Sequence, residues 1–296
     1  IYSFLFHLPY LYYRDNYKLI WFLLNKRRTI KMPNFLLIDG SYFCFYRYYA
    51  ICQWFKLSSK EILTNPIENK TFLDKFEKTF IEKFNDIAVK LNIENPITIV
   101  GKDCRRKDIW RMGLFPEYKA NRANNGFKGG PVFKKLWDDN LFQKAGAKLI
   151  LEHPSLEADD CIAIMTKHLI NTYDDANIWI ITSDMDYMQL SAPQVKLYNL
   201  KFKDLTESKS CFKNAEKDLF CKIVSGDKSD CIPSVFKKCG IKTAEKYWND
   251  RELFEQKLGE NIDAQQQYEL NRKIIDFKEI PQHLIEEFMD SYGIMK

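Results

Sequence analysis

The central stretch of the chain, residues 157–186, reads EADDCIAIMTKHLINTYDDANIWIITSDMD. Its apolar residues predict a buried helix followed by a buried strand at residues 178–181, and carboxylates stand at one end of each element. Carboxylates in buried or crowded surroundings cost free energy unless a positive charge neutralises them. Because neither segment carries a Lys or Arg beside its acids, the pattern indicates a divalent cation, which takes oxygen ligands.

Three further short apolar runs have the pattern of buried strands, at residues 35–38, 97–100 and 148–151. Between these runs, apolar residues recur at helical spacing. Ser155 is a candidate N-cap for the helix that begins with the acids at 157–160. Strands that alternate with helices predict an α/β fold, with a mostly parallel central sheet and helices on both faces. Ligands bind at the carboxyl ends of strands in such sheets, and Asp39, Asp103 and Asp184 each follow a strand.

Nine carboxylates are candidate metal ligands. They lie near the ends of these elements or in an acidic loop after residue 225. They are Asp39, Asp103, Glu157, Asp159, Asp160, Asp184, Asp186, Asp227 and Asp230. A single Asp at a strand end is usually a turn residue or a helix cap, so the prediction depends on their joint placement. No His, Ser or Cys nucleophile is placed with them, which favours water as the attacking group and two Mg²⁺ ions about 3.5–4 Å apart.

Residues 104–135 combine many Lys and Arg side chains with interleaved aromatic residues. Gly126, Gly129, Gly130 and Pro131 are expected to interrupt any helix there. Such a segment is typical of a mobile element that grips phosphates and stacks on bases. The alternative is a long solvated loop, although a loop of this length in a compact domain is usually functional.

Five segments occur in the order typical of one family: LLIDGS (36–41), GKDCRRKDIWRMGLFPEYKANR (101–122), LEADD (156–160), TSDMDYMQL (182–190) and SGDKSDCIP (225–233). On these segments the chain resembles the 5′-nuclease superfamily. That superfamily includes flap endonucleases, the 5′-nuclease domains of bacterial DNA polymerase I, and phage 5′-3′ exonucleases and ribonuclease H enzymes of the same fold. The residue mix is rich in Lys, Asn, Ile, Phe and Tyr, which favours AT-rich codons and suits a viral or phage-like member.

Position by position, the resemblance implies two metal sites and a set of catalytic phosphate contacts. The first metal site would comprise Asp39, Asp103, Glu157 and Asp159. The second would comprise Asp184, Asp186 and Asp227, with Asp160 and Asp230 near it. The implied contacts to the scissile phosphate and terminal nucleotide are Arg111, Tyr118, Lys119 and Arg122. Residues 112–135 would form the arch through which a 5′ strand passes, with Lys128, Lys134 and Lys135 on the nucleic acid.

Residues 226–247 resemble the family's helix–hairpin–helix module, which binds duplex backbone through main-chain amides, often with a K⁺ ion. The chain departs from the family pattern there, because it is one residue longer and Lys238 stands at the position of the first hairpin Gly. That departure puts the K⁺ site in question, while the lysines add charge that attracts phosphate. The implied nucleic-acid contacts of the hairpin are Lys237, Lys238, Gly240, Lys242 and Thr243.

The domain division expected from these features has three parts: an extension at 1–31, a nuclease core at 32–200 with its arch at 104–135, and a helix–hairpin–helix region with C-terminal helices at 201–296. Met32 precedes a clean strand, so residues 1–31 are expected to be an upstream read-through or an extension, with an ordered helix as the alternative. No uncharged run reaches the roughly 18 residues of a membrane span, and no signal-peptide pattern is present.

The net charge and the cysteines indicate the kind of ligand and the compartment to expect. The net charge is +5 although many acids belong to the site, which indicates either a basic rim for a polyanion or merely a basic surface. The eight cysteines form no C-x-x-C pair and the four histidines do not cluster with them, so zinc is not expected. Cys44 and Cys161 lie in core-like segments, which predicts reduced thiols and an intracellular location, in cytoplasm, nucleus or a viral replication site.

The expected function is a structure-specific 5′-nuclease that cleaves flapped or nicked DNA, or RNA primers on DNA, in replication and repair. Mg²⁺ is the expected cofactor, with Mn²⁺ as a substitute and K⁺ at the hairpin, and the protein is expected to be a monomer that meets replication proteins. One alternative is a PIN-type ribonuclease, which lacks a duplex-binding module. The other is a non-catalytic DNA-junction binder, which gains nothing from clustered carboxylates.

Overall fold

The structure is a computed structural model that describes residues 33–59, 62–122 and 126–294. The expectation for residues 1–31 lies outside these residues. Five parallel strands form one sheet in the order β3-β2-β1-β4-β5. They are β1 (Asn34–Asp39), β2 (Ile97–Gly101), β3 (Leu149–Leu151), β4 (Asn177–Ile181) and β5 (Val195–Tyr198). The predicted α/β fold with a parallel central sheet is therefore confirmed.

Helices connect most of the strands, because the chain must cross back over the sheet before it can begin the next parallel strand. They are α1 (Gly40–Ser58), α2 (Lys70–Lys90), α3 (Gly130–Asp138), α4 (Leu141–Lys144), α5 (Ala158–Thr172), α6 (Ala215–Ser225), α7 (Ile241–Asn249), α8 (Arg251–Gly259), α9 (Ile262–Ile275) and α10 (Gln282–Ser291). None of the described helices has both the length and the apolar character that crossing a bilayer requires.

The sheet is covered on both faces, and β1 shows how the sequence achieves this. Phe35 and Leu37 pack into a core with α5 and α10, whereas Leu36 and Ile38 pack into a second core with α1, α2 and α3. Side chains alternate across a strand, so a strand that is apolar at every position buries both of its faces. The carboxyl end of such a strand is the place where a polar residue can leave the core.

Two local expectations about helix ends are wrong. Gly130 and Pro131 do not interrupt a helix but begin α3, which suits Pro because the first helical N–H has no partner within the helix. Ser155 does not cap α5; Glu157 does, in a reciprocal arrangement with Asp160 that satisfies two backbone N–H groups. The last six residues of the expected arch, 130–135, thus belong to a regular helix that places Val132 in the core.

The C-terminal region forms a separate apolar cluster in which α6, α7 and α8 pack together around Phe254. A hairpin joins α6 to α7 and begins at Gly226, whose φ is +70° and whose missing Cβ would stand 2.4 Å from the carbonyl oxygen of Ile232. Lys238 also has a positive φ of 59°. This position therefore keeps a left-handed backbone, which glycine adopts most readily, although its residue is a lysine.

Helix α9 connects this region to the sheet. The buried Asn271 amide donates to the carbonyls of Ile223 and Pro233, both at 2.8 Å, and so fixes α9 against α6 and the hairpin. Four residues later, the carbonyl of Ile275 accepts from the Gln189 side chain at 3.0 Å. Helix α9 thereby sets the position of the hairpin region relative to the carboxyl edge of the sheet.

Candidate active site

The ends of the two central strands bring separated acids together at the carboxyl edge of the sheet. Asp39 ends β1 between β2 and β4, and its carboxylate accepts from the backbone N–H of Tyr42 at 2.9 Å. Asp103 follows β2 and accepts from the Ser41 hydroxyl and, at 2.8 Å, from the backbone N–H of Ala158. That last bond places the beginning of α5, with its acids, against the end of β2.

The acids of α5 form a tight group. Glu157, Asp159 and Asp160 each offer a carboxylate oxygen, and these oxygens lie within 4.8 Å of one another. Glu157 and Asp160 are buried, and Asp159 is half-buried. Burial, together with the charges of Asp160 and Glu157, holds the pKa of Asp159 well above its usual range.

Arg111 does not occupy the place that was predicted for it. Its side chain is 2% exposed, so it does not face solvent or an incoming phosphate. Both of its terminal nitrogens donate to Asp160 at 2.7 Å, one of them also donates to Glu157 at 3.1 Å, and its Nε donates to the carbonyl of Ile274 at 2.7 Å. Because these bonds engage both of the Asp160 oxygens, the arginine and this carboxylate form a buried ion pair that orders the site.

Tyr118 and Lys119 reach the same group of acids from the 3₁₀ turns after β2. The Tyr118 hydroxyl donates to Glu157 at 3.0 Å, and the Lys119 ammonium donates to the other Glu157 oxygen at 2.6 Å. The neighbouring acids raise the pKa of Lys119 although its burial lowers it, so the ammonium stays charged. Asp230 belongs here rather than beside the second group, because it pairs with Arg122 at 2.5 Å and lies 3.9 Å from Lys119.

A second group of acids lies after β4. Asp184 caps the 3₁₀ helix Met185–Leu190 by accepting from the backbone N–H of Asp186 at 2.9 Å. Lys222 of α6 donates to Asp186 and, at 2.8 Å, lies against Asp227. Burial raises the pKa of Asp186 to about 6, whereas the lysine and Ser229 lower the pKa of Asp227 to about 2 despite its partial burial.

The acids of the site divide into those with a basic partner and those without one. Within the described residues, no Lys or Arg forms an ion pair with Asp39, Asp103, Asp159 or Asp184. Burial and the charges of Asp103 and Asp184 raise the pKa of Asp39 to about 7. An acid with so high a pKa is held beside other acids without compensation, which is the electrostatic setting that a bound divalent cation stabilises.

The predicted nucleic-acid contacts outside this centre are dispersed. On α3, Lys134 and Lys135 pair with Asp138 and Asp139, and Lys128 donates to the carbonyl of Thr64 at 3.2 Å. Of the predicted contacts in the hairpin region, Lys237, Lys238, Gly240 and Lys242 are exposed and Thr243 is half-buried. The hairpin lysines form no ion pair among the described residues, which leaves their charge available to an anion.

Sequence reasoning missed several residues that hold the carboxylates. The hydroxyls of Thr182 and Tyr187 both lie 3.3 Å from Asp39, and the Trp110 indole donates to Asp160 at 3.0 Å. Lys222 was missed as well. The sequence feature that could have indicated Lys222 is its position on an amphipathic helix, five residues before Asp227 and not adjacent to any of the acids.

Comparison with known proteins identifies the family. The 5′-3′ exonuclease, N-terminal resolvase-like domain matches residues 34–217, which is more than half of the chain. The chain belongs to the 5′-3′ exonuclease family. The ribonuclease H of Enterobacteria phage T4 is 27% identical, over 71% of this chain and 75% of that protein. The 5′-3′ exonuclease of Buchnera aphidicola is 29% identical, over 73% of this chain and 70% of that protein.

Solved structures agree on the fold. The bacteriophage T5 D15 protein, crystallised with metal ions, superposes with a TM-score of 0.61 at 17% identity and covers 89% of this chain and 100% of its own. The D15 flap endonuclease in a complex with DNA and metal ions gives a TM-score of 0.60 and covers 88% of this chain and 98% of its own. Family membership confirms the prediction of a 5′-nuclease, a metal-dependent hydrolase whose acids lie at one edge of an α/β fold.

Proposed function

We propose that this family member hydrolyses phosphodiester bonds in 5′-flapped or nicked DNA, or in RNA primers on DNA, with two Mg²⁺ ions. The observation that carries the proposal is a group of four carboxylates at the carboxyl edge of the sheet that have no basic partner among residues 33–59, 62–122 and 126–294. They are Asp39, Asp103, Asp159 and Asp184. Hard oxygen ligands in this number suit Mg²⁺, and Mn²⁺ would substitute for it.

The residues fit two ions. Asp39, Asp103, Glu157 and Asp159 would hold the first, and Asp184, Asp186 and Asp227 the second. When bound, the ions would activate a water molecule and stabilise the charge that develops on the phosphate. Asp160 and Asp230 were also candidate ligands. Both Asp160 oxygens are held by the enclosed Arg111, and Asp230 lies between Arg122 and Lys119, so we propose that these two acids position the basic side chains instead.

The remaining side chains have roles that follow from their contacts. Lys119 would bind a phosphate oxygen when Glu157 takes part in metal binding, because its ammonium already lies at the rim of the first group of acids. Arg122, which is half-exposed, would bind the next phosphate or the terminal nucleotide. Tyr118 would orient Glu157, and Arg111 would hold both Glu157 and Asp160 in place without touching the substrate.

Duplex binding is proposed for the hairpin between α6 and α7. The relative from phage T5 is described as a flap endonuclease in a complex with DNA, and the hairpin here presents Lys237, Lys238 and Lys242 to solvent. Its backbone at Lys238 keeps the left-handed conformation that a glycine would adopt, which supports the proposal that main-chain carbonyls of this hairpin bind K⁺. We propose further that the protein acts as a monomer in a reducing compartment, alongside replication proteins.

The test compares cleavage of a 5′-flapped duplex, a blunt duplex and a single strand, first with Mg²⁺ and then with EDTA. The proposal predicts cuts near the base of the flap that disappear with EDTA. Cleavage of single-stranded RNA without any need for a duplex would favour a PIN-type ribonuclease. Binding of the flap without cleavage, in Mg²⁺ and in Mn²⁺, would mean that the protein is a junction binder.

A further inference from the structure

Lys222 lies where the second ion would bind. Its ammonium contacts one oxygen of Asp186 and lies 2.8 Å from an oxygen of Asp227, and these two acids are proposed ligands of that ion. A lysine between two carboxylates supplies the positive charge that they need when no metal is bound. A divalent ion that takes the same oxygens must therefore displace the ammonium.

The same helix carries a second acid that is placed to receive the displaced charge. Asp218 precedes Lys222 by four residues on α6, a spacing at which side chains meet on one helix face. One Asp218 oxygen accepts from the backbone N–H of Phe212 at 2.9 Å, while the other is buried and has no hydrogen-bond partner among the described residues. Buried carboxylate oxygens without a partner are rare in folded proteins, and each calls for an explanation.

An open cleft connects the two positions. It has a volume of about 230 Å³ and its lining includes Asp186, Asp218, Lys222 and Asp227. The lysine side chain is 24% exposed, so it is not fixed by packing on all sides. A flexible four-carbon stem that carries three donors can therefore move its ammonium from the Asp186–Asp227 pair toward Asp218.

We propose that Lys222 is a counter-ion with two positions, an inference that rests on the proposed two-ion function. Without the second ion it neutralises Asp186 and Asp227, and when that ion binds it moves to the unpartnered oxygen of Asp218. Displacement costs free energy at the second site, where Asp184 is the one proposed ligand without a basic partner in the described part of the chain. The second ion consequently binds more weakly than the first, where three of the four proposed ligands lack a basic partner among the described residues and only Glu157 has one.

The test measures binding of Mg²⁺ alone, without DNA, to metal-free protein by isothermal titration calorimetry. Lys222→Met removes the competing ammonium, so the second ion should bind about tenfold more tightly. Asp218→Asn keeps the acceptor for Phe212 but removes the receiving charge, so the second ion should bind more weakly, on the order of fivefold. In the double variant, Asp218→Asn should have no effect, because the lysine that uses Asp218 is absent.

Lys217→Met is the matched control, because Lys217 lies on the same helix but pairs with Glu245, and its loss should leave both affinities unchanged. Equal second-ion affinity in wild type and Lys222→Met would overturn the inference and leave the two-ion function intact. If Lys222→Met does not fold, Asp218→Asn decides alone, and a wild-type affinity there would overturn the inference. Wild-type protein that binds no Mg²⁺ would contradict the proposed function itself, and this inference with it.

Discussion

Arg111 and Lys222 each stand among the acids of this site, but the protein holds them in opposite ways. Arg111 is buried, and its bonds to Asp160, Glu157 and the Ile274 carbonyl engage all three of its nitrogens. Lys222 pairs with two acids among the described residues and borders an open cleft. Asp160 is therefore a structural acid, because its cation Arg111 is enclosed and fully bonded. Asp186 and Asp227 remain available to a metal ion, because their cation Lys222 can leave.

The largest effect is expected from breaking the enclosed pair. Arg111→Met leaves Asp160 buried beside Glu157 without its cation, which should lower the free energy of unfolding by about 3–5 kcal/mol. Urea denaturation in EDTA measures the change. Arg105→Met is the control, since Arg105 pairs with Asp108 on the surface and its loss should cost less than about 1 kcal/mol. Equal losses in the two variants would show that Arg111 is not the enclosed structural cation.

Asp184 represents the acids that have no basic partner among the described residues. Asp184→Asn should lower the cleavage rate by about 10²- to 10³-fold while flap binding is retained, because it removes a proposed metal ligand and no ion pair. Rates and gel-shift affinities on one flapped substrate measure both quantities. Asp174→Asn, at an exposed position before β4, should change neither. Full activity of Asp184→Asn would remove this residue from the metal site.

Lys119 is intermediate between the two cations, since it is mostly buried but bonded chiefly to Glu157. Lys119→Ala should slow cleavage by about 10²-fold and weaken duplex binding far less, because the ammonium would act on the reacting phosphate rather than on the duplex. Single-turnover rates at saturating enzyme separate the two effects. Lys167→Ala, on the exposed face of α5, is the control. An unchanged single-turnover rate would refute the placement of Lys119.

The smallest effect concerns the stability of the metal-free protein. The pKa of Asp39 is about 7 in the folded chain, above its ordinary value of 3.8. A raised pKa means that the folded state binds the proton more tightly, so this stabilisation is complete below about pH 4 and is lost as the pH rises to 7. In EDTA, the difference in the free energy of unfolding between Asp39→Asn and wild type should therefore shift in favour of the variant by about 1 kcal/mol or more from pH 5 to pH 8.

Thermal denaturation of both proteins at pH 5 and pH 8 measures the change. A difference between wild type and variant that does not vary with pH would contradict the setting described for Asp39. Added Mg²⁺ should reverse the order at pH 8, because ligand binding stabilises only the protein that retains the carboxylate.

The sheet and the convergence of acids could be predicted because both depend on local patterns. Four of the five strands are short apolar runs, and an acid that follows such a strand reaches the same edge as its neighbours, whatever the loops between them. The buried state of Arg111 could not be predicted, since its Nε partner is the carbonyl of Ile274, 163 residues away. Lys222 was hidden for a similar reason, because its partner Asp186 lies 36 residues away, in the 3₁₀ helix that α6 meets only in the folded chain.

The most direct test of the central claim is anomalous diffraction from crystals soaked at high Mn²⁺ concentration. The account predicts two peaks about 3.5–4 Å apart, one beside Asp39, Asp103 and Asp159, and the other beside Asp184 with the Lys222 ammonium moved away from it. A structure with no ion among these carboxylates at that concentration, and with Lys222 still between Asp186 and Asp227, would contradict it.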